Sequence, residues 1–93
     1  MKDSKTTAGL GWYSKEQWPE YLRLMEDEVD QTYEAWFQKA LRLEKEMTKK
    51  GVEIVRMPVD LVDFELWCAI HKKKREGAAR AEYVREKLNR GST

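Results

Sequence analysis

The sequence predicts a mainly α-helical fold, α+β at most, in a single domain spanning residues 1–93. Apolar residues recur every three or four positions over residues 19–50, which indicates one long amphipathic helix. A β-branched run at 52–58 is the only one of its kind and predicts a short strand or extended segment. Two shorter helical patterns, 60–75 and 78–89, complete the chain and are expected to pack against the long helix.

The N-terminal residues 1–11 are mostly small and polar, and we expect them to be loose. Ser14 is followed three residues later by Gln17, which is the form of a capping box. This pair predicts a helical turn over 15–18. Pro19 then stands where a helix can begin, because its missing N–H is not needed there.

The predicted helix 19–50 is the element around which the fold is expected to form. Acidic residues crowd its first half and basic residues its second half, as the helix dipole favours. Gly51 stands where a left-handed cap would end it. At ~1.5 Å per residue the helix would be about 48 Å long, more than a small domain spans. Part of its apolar seam should therefore project or bend, and be open to a partner. The seam consists of Leu22, Met25, Val29, Tyr33, Trp36, Ala40, Leu43 and Met47.

The strand 52–58 has no obvious partner in the sequence. A lone strand leaves its backbone groups unpaired. It must pair with the same segment of a second molecule, pair with the N-terminal stretch, or not be a true strand.

The next helix, 60–75, has Asp60 as a good N-cap. It is apolar on both faces, which is typical of a helix at the centre of a core. One face carries Leu61, Phe64, Trp67 and Cys68, and the other Val62, Leu66 and Ile70. The last helix, 78–89, has a thin apolar stripe and should cover the core.

Composition and charge exclude several classes of protein. Eighteen basic and seventeen acidic side chains give a net charge of +1, which does not favour binding to nucleic acid or to an anionic membrane as a whole. No run is apolar enough for a signal peptide or a membrane span. The single cysteine suits a reducing compartment. We therefore expect a cytoplasmic protein without membrane contact.

The sequence gives little support to the hypotheses of a catalytic site or a metal site. Cys68 and His71 are the only cysteine and histidine and lie three residues apart, but the cysteine is on an apolar face and is expected to be structural. Two such residues are too few for a structural zinc site. Among the acids, only Glu26 and Asp30 are spaced to converge on a helix, and a solvated acidic face explains them. We expect no enzyme activity, no metal and no cofactor.

From Val52 onward the order is strand, proline, helix, turn and helix, and residues 80–88 resemble the closing helix of ribbon-helix-helix DNA-binding proteins. The resemblance implies an intertwined homodimer whose paired strands enter the major groove. Arg56 would then be the one base-reading side chain. The basic residues that could contact phosphates are Lys72, Lys73, Lys74, Arg75 and Arg80.

The function we expect from these observations is a small non-catalytic protein that acts through protein contacts, as a homodimer or with another protein. Val29 and Trp36 on the long seam, with Trp12 and Trp18 before it, are the candidate partner contacts. The alternative is a DNA-binding regulator of the ribbon-helix-helix type that uses residues 52–88.

Overall fold

In the computed structural model, which describes residues 6–91, the chain forms an α+β fold with two strands and four α-helices. Residues Lys15–Gln17 form a single 3-10 turn before the first helix, and the reciprocal bonds of the Ser14–Gln17 capping box are both present. The elements in chain order are β1 (Thr6–Trp12), α1 (Trp18–Leu24), α2 (Tyr33–Lys49), β2 (Val52–Pro58), α3 (Leu61–His71) and α4 (Gly77–Gly91).

The two strands form a parallel pair. Thr6 lies opposite Val52, and the register continues to Trp12 opposite Pro58. The expectation of a loose N-terminus is wrong over residues 6–11, and residues 1–5 lie outside the described part. The small residues of β1 are what the packing requires, because a Cβ at Gly9 would lie 2.9 Å from Val84 Cγ1 on α4. The N-terminal stretch of the same chain is thus the partner of the predicted strand.

The predicted long helix 19–50 is wrong, because the chain leaves the helix at Leu24 and re-enters it at Tyr33. Met25 adopts an extended conformation with ψ 139°. The Thr32 side chain then accepts a hydrogen bond from the backbone N–H of Ala35 and caps α2. The connection between the helices, residues 25–32, crosses to the turn between α3 and α4, where its carboxylates find backbone and arginine partners.

The sheet lies between α2 and α4. Trp12 points to one face and contacts Trp36 of α2, with ring centroids 5.2 Å apart. Gly9 and Gly11 point to the other face, where α4 approaches them through Val84. The core is therefore assembled from several elements, and no single helix runs through it. Its buried residues include Tyr13, Trp18, Tyr21, Leu24, Phe64, Trp67, Cys68, Tyr83 and Val84.

Helix α3 begins as the sequence predicts and ends earlier. The Asp60 side chain accepts hydrogen bonds from the N–H groups of Val62 and Asp63 at 3.0 and 3.1 Å. The helix stops at His71, because Lys72 adopts the left-handed conformation with φ 55°. Between residues 6 and 91, no helix has the length and apolar character needed to cross a bilayer.

Candidate functional site

An ion pair between Asp27 and Arg80 fastens the α1–α2 connection to α4. Both terminal guanidinium nitrogens of Arg80, Nη1 and Nη2, donate to the Asp27 carboxylate at 2.9 Å. The backbone N–H of Gly77, at the start of α4, donates to the same carboxylate at 3.0 Å. The hydrogen bond from Arg80 holds the pKa of Asp27 below its ordinary value. We call this ion pair and its backbone bond the latch.

Glu26 and Arg75 make a second connection beside the latch. The Glu26 N–H donates to the Arg75 carbonyl at 2.8 Å, and the Arg75 N–H donates to the Glu26 carboxylate at 2.9 Å. Arg75 Nε also donates to the Leu24 carbonyl at 2.8 Å, which caps the C-terminus of α1. The acidic residues were expected to lie on a solvated helix face. Instead they hold together two turns that are about fifty residues apart in the chain.

The four predicted partner contacts lie in or against the core. Trp18 is only 4% exposed and stacks on Tyr21, with ring centroids 4.2 Å apart. Val29 and Trp36 are half-buried and pack against the core cluster. Trp12 is also half-buried, with the Arg56 guanidinium 4.0 Å from its ring centroid. Trp12, Trp18 and Trp36 form an internal aromatic cluster. The continuous helix on whose seam Val29 and Trp36 were expected does not exist.

Cys68 and His71 do not form a thiol–imidazole pair. Cys68 is 1% exposed, and burial raises the pKa of its thiol, which disfavours the thiolate. His71 Nδ1 donates instead to the Trp67 carbonyl at 2.8 Å. Within residues 6–91, no three acidic, histidine or cysteine side chains are grouped as a metal site would need.

Most of the basic residues predicted to contact nucleic acid are bound to acids of the same chain. Arg56 donates two hydrogen bonds to Glu44 at 2.7 and 2.8 Å. Arg75 and Arg80 hold the α1–α2 connection, and Lys73 pairs with Glu82 at 3.1 Å. In the described part of the chain, Lys72 and Lys74 are the two of the six without an ion pair. The strand of Arg56 also pairs within one chain, whereas the ribbon-helix-helix resemblance implies pairing between two.

Helix α3 carries an apolar stripe that no element of the described chain covers. Val62, Leu66 and Ile70 are spaced four residues apart and are 74%, 58% and 67% exposed. The expectation that both faces of this helix are buried is therefore wrong for one of them. The opposite face, with Phe64, Trp67 and Cys68, is buried against α1 and α4.

The two ends of this stripe carry opposite charges. Asp60 precedes the stripe and Lys72 follows it, and both are exposed. Asp60 and Lys72 each lie six residues from Leu66, and Val62 and Ile70 each lie four. The stripe is therefore symmetric about Leu66 in its apolar residues, and the two ends of its helix carry opposite charges.

Sequence reasoning named the residues of this stripe but assigned them to the core. The signal for this stripe in the sequence is the apolar character of both faces of the helix. Local pattern alone does not tell which face is covered. No protein-family model, no curated protein and no solved structure matches this chain significantly.

Proposed function

We propose that this is a small, non-catalytic cytoplasmic protein that acts through protein contacts and forms a homodimer through α3. The observation that carries the proposal is the exposed stripe of Val62, Leu66 and Ile70. Three large aliphatic side chains in a row on one helix form a contiguous apolar patch, and such patches mark interaction sites more often than single exposed residues do.

A second copy of the same helix is the occupant that fits this stripe best. In an antiparallel pair with Leu66 on the two-fold axis, Val62 of one copy faces Ile70 of the other. The same axis brings the acidic N-terminal end of each helix to the level of the basic C-terminal end of the other. This is the self-complementarity that a two-fold interface requires. The exposed Ala69 beside the stripe is small and allows the helices to approach closely.

The test is the native mass of two single variants and the parent protein, measured by light scattering across a range of concentrations. Leu66→Asp sets two carboxylates against each other on the axis and should give a monomer. Leu43→Asp is the matched control, because Leu43 is also a large exposed aliphatic side chain, 45% exposed, but lies on α2. The parent and the control should both have twice the monomer mass.

Circular dichroism and thermal unfolding of both variants establish that they remain folded. A parent protein that is monomeric at every concentration contradicts the proposal. So does a folded Leu66→Asp variant that keeps the dimer mass. The cytoplasmic location is supported by the single buried thiol, and recovery of the native protein in a membrane or secreted fraction contradicts it.

A further inference from the structure

A second surface, which shares no residue with the α3 stripe, lies at the open edge of β1. A cleft of about 580 Å³ opens there between α2 and α4. Strand β1 lines it with Gly9, Leu10 and Gly11, and the two helices supply the side walls, including Trp36 and Ala81. The cleft is thus an elongated space beside an edge strand, flanked by a helix on each face of the sheet.

The backbone of β1 presents unpaired groups to this cleft. The Val59 N–H donates to the Trp12 carbonyl at 3.2 Å, so the Trp12 carbonyl points toward β2. Carbonyl directions alternate along a strand, and the backbone groups of Gly9 and Gly11 therefore point to the open edge. Within residues 6–91, no turn, loop or side chain forms a hydrogen bond with these backbone groups. Every second residue of this edge therefore offers one N–H donor and one C=O acceptor. A second extended backbone can form hydrogen bonds with such a row of groups.

The outer edge of β2 is less suited to such pairing. The same alternation puts Pro58 at that edge, and proline has no N–H to donate. Arg56, the preceding residue on that edge, is exposed and engaged with Glu44. Charged side chains and proline are features that protect edge strands from added chains. The β1 edge has neither, because Gly9 and Gly11 carry no side chain.

We propose that the outer edge of β1 binds an extended, basic peptide segment of another protein as a third strand of the sheet. Backbone pairing with Gly9 and Gly11 supplies the affinity. Apolar side chains at alternate positions of the peptide fit between the two helices, where Val29, Trp36 and Val84 line the cleft. This mode of recognition needs an exposed edge and side-chain pockets on alternate residues, and both are present.

The charge of the cleft specifies the basic character of the peptide. Lys39 is paired with Asp30 at 2.8 Å, and Arg80 is paired with Asp27. Glu28 also lines the cleft, is exposed, and has no ion pair within the described residues. With the two cations neutralised, Glu28 leaves the cleft with a net negative charge. A lysine or arginine of the peptide is its complement.

The probe is a set of synthetic heptapeptides with valine at alternate positions, threonine between them, and one lysine moved through the sequence. Binding to the ¹⁵N-labelled full chain is followed by NMR. We expect the amide signals of Gly9 and Gly11 to shift, and their hydrogen exchange to slow at least roughly tenfold at saturation. The same peptides with backbone N-methyl groups on alternate residues cannot complete the ladder and should not bind.

Two variants on α4 separate cleft binding from contact elsewhere. Ala81→Arg fills the cleft from an exposed position on its wall and should weaken binding at least roughly tenfold. Ala78→Arg is the matched control, since Ala78 is exposed on the same helix but does not line this cleft, and it should bind as the parent does. Glu28→Gln should weaken binding by about two- to fivefold, the size of an exposed ion pair.

Three results would overturn the proposal: no peptide of the set binds with a Kd below about 1 mM, the Gly9 and Gly11 signals do not respond, or the N-methylated peptides bind equally well. The titration is repeated on the Leu66→Asp variant, which should bind the peptide as the parent does. Peptide binding and self-association through α3 can then fail or succeed separately.

Discussion

The two faces of α3 have nearly the same hydropathy and opposite surroundings. Phe64 and Cys68 on one face are fully enclosed. Val62, Leu66 and Ile70 on the other face are more than half exposed. Helices α1 and α4 cover the inward face, and the latch joins the connection that follows α1 to α4. The outward face has no such neighbour among the described elements, so the same kind of side chain serves folding on one face and, we propose, association on the other.

The largest effect is expected from truncating the inward face. Phe64→Ala removes an aromatic ring that packs edge-on against Tyr83, with centroids 5.3 Å apart, and stacks beside Trp67. A cavity of this kind should lower the free energy of unfolding by about 3–5 kcal/mol. Urea unfolding monitored by tryptophan fluorescence measures it. A loss below about 1 kcal/mol would mean that this face is not the structural one.

The next effect should come from breaking the latch that brings α1 and α4 to the inward face. Arg80→Ala leaves the Asp27 carboxylate with backbone N–H donors alone, in a partly buried position. We expect a loss of about 2–3 kcal/mol, less than for a fully buried pair. Arg85→Ala is the control on the same helix, because Arg85 is exposed and has no ion pair within residues 6–91. Equal stability of the two variants would show that the latch contributes nothing.

A smaller, pH-dependent effect is expected where Asp63 of α3 meets α4. The Tyr83 hydroxyl donates to the Asp63 carboxylate at 2.6 Å, and Lys87 lies 3.2 Å from it. The hydrogen bond from Tyr83 lowers the pKa of Asp63. Because the folded pKa is the lower one, this stabilisation is present above the unfolded pKa of about 3.9 and is lost as the pH falls through the folded value.

Tyr83→Phe removes that hydrogen bond and should cost about 0.5–1.5 kcal/mol at pH 7. Part of this cost should disappear between pH 7 and pH 2, because acidification moves Asp63 toward the protonated form in the folded state as well. Thermal unfolding of the parent and the variant at the two pH values tests this. A difference in stability that is the same at both pH values would contradict the role given to Asp63.

The smallest effect on the stability of the monomer is expected from the outward face. Leu66→Ser replaces a side chain that is mostly in solvent, so the free energy of unfolding at low protein concentration should change by less than about 0.5 kcal/mol. The parent, as a dimer, should unfold at higher temperature when its concentration is raised, and Leu66→Ser should not. Calorimetry at two concentrations compares them, and a large loss at low concentration would place Leu66 in the core of the monomer.

Local signals in the sequence identified the elements whose ends depend on near neighbours. These signals are the Ser14–Gln17 capping box, the Asp60 N-cap and the β-branched run of β2. Each depends on residues only a few positions apart, and each predicted feature is present in the structure. The prediction of one long helix was wrong because the periodic pattern of apolar residues continues through residues 25–32, where the chain is not helical. What breaks it there is bonding to Arg75, Gly77 and Arg80, and no local pattern reports contacts at that separation.

The N-terminal strand was missed for a related reason. Its small residues show no alternation of apolar and polar side chains, since α4 packs directly on the backbone at Gly9 and Gly11. The errors in predicting the fold also led to errors in predicting the exposed partner contacts. Val29 and Trp36 were assigned to an exposed seam of a continuous helix, and breaking that helix moves them against the core. The stripe of α3 was visible in the sequence, but its exposure is decided by which elements pack on the helix.

The most direct measurement of the central claim is disulfide formation by Leu66→Cys under mild oxidation. In an antiparallel pair of α3 helices, residue 66 of each copy lies on the two-fold axis, close enough for the Cα separation below about 7 Å that a disulfide needs. Native Cys68 is buried and should not react. We predict a covalent dimer on a non-reducing gel for Leu66→Cys and none for Leu43→Cys. No covalent dimer of Leu66→Cys, or equal yields from the two variants, would contradict self-association through this face.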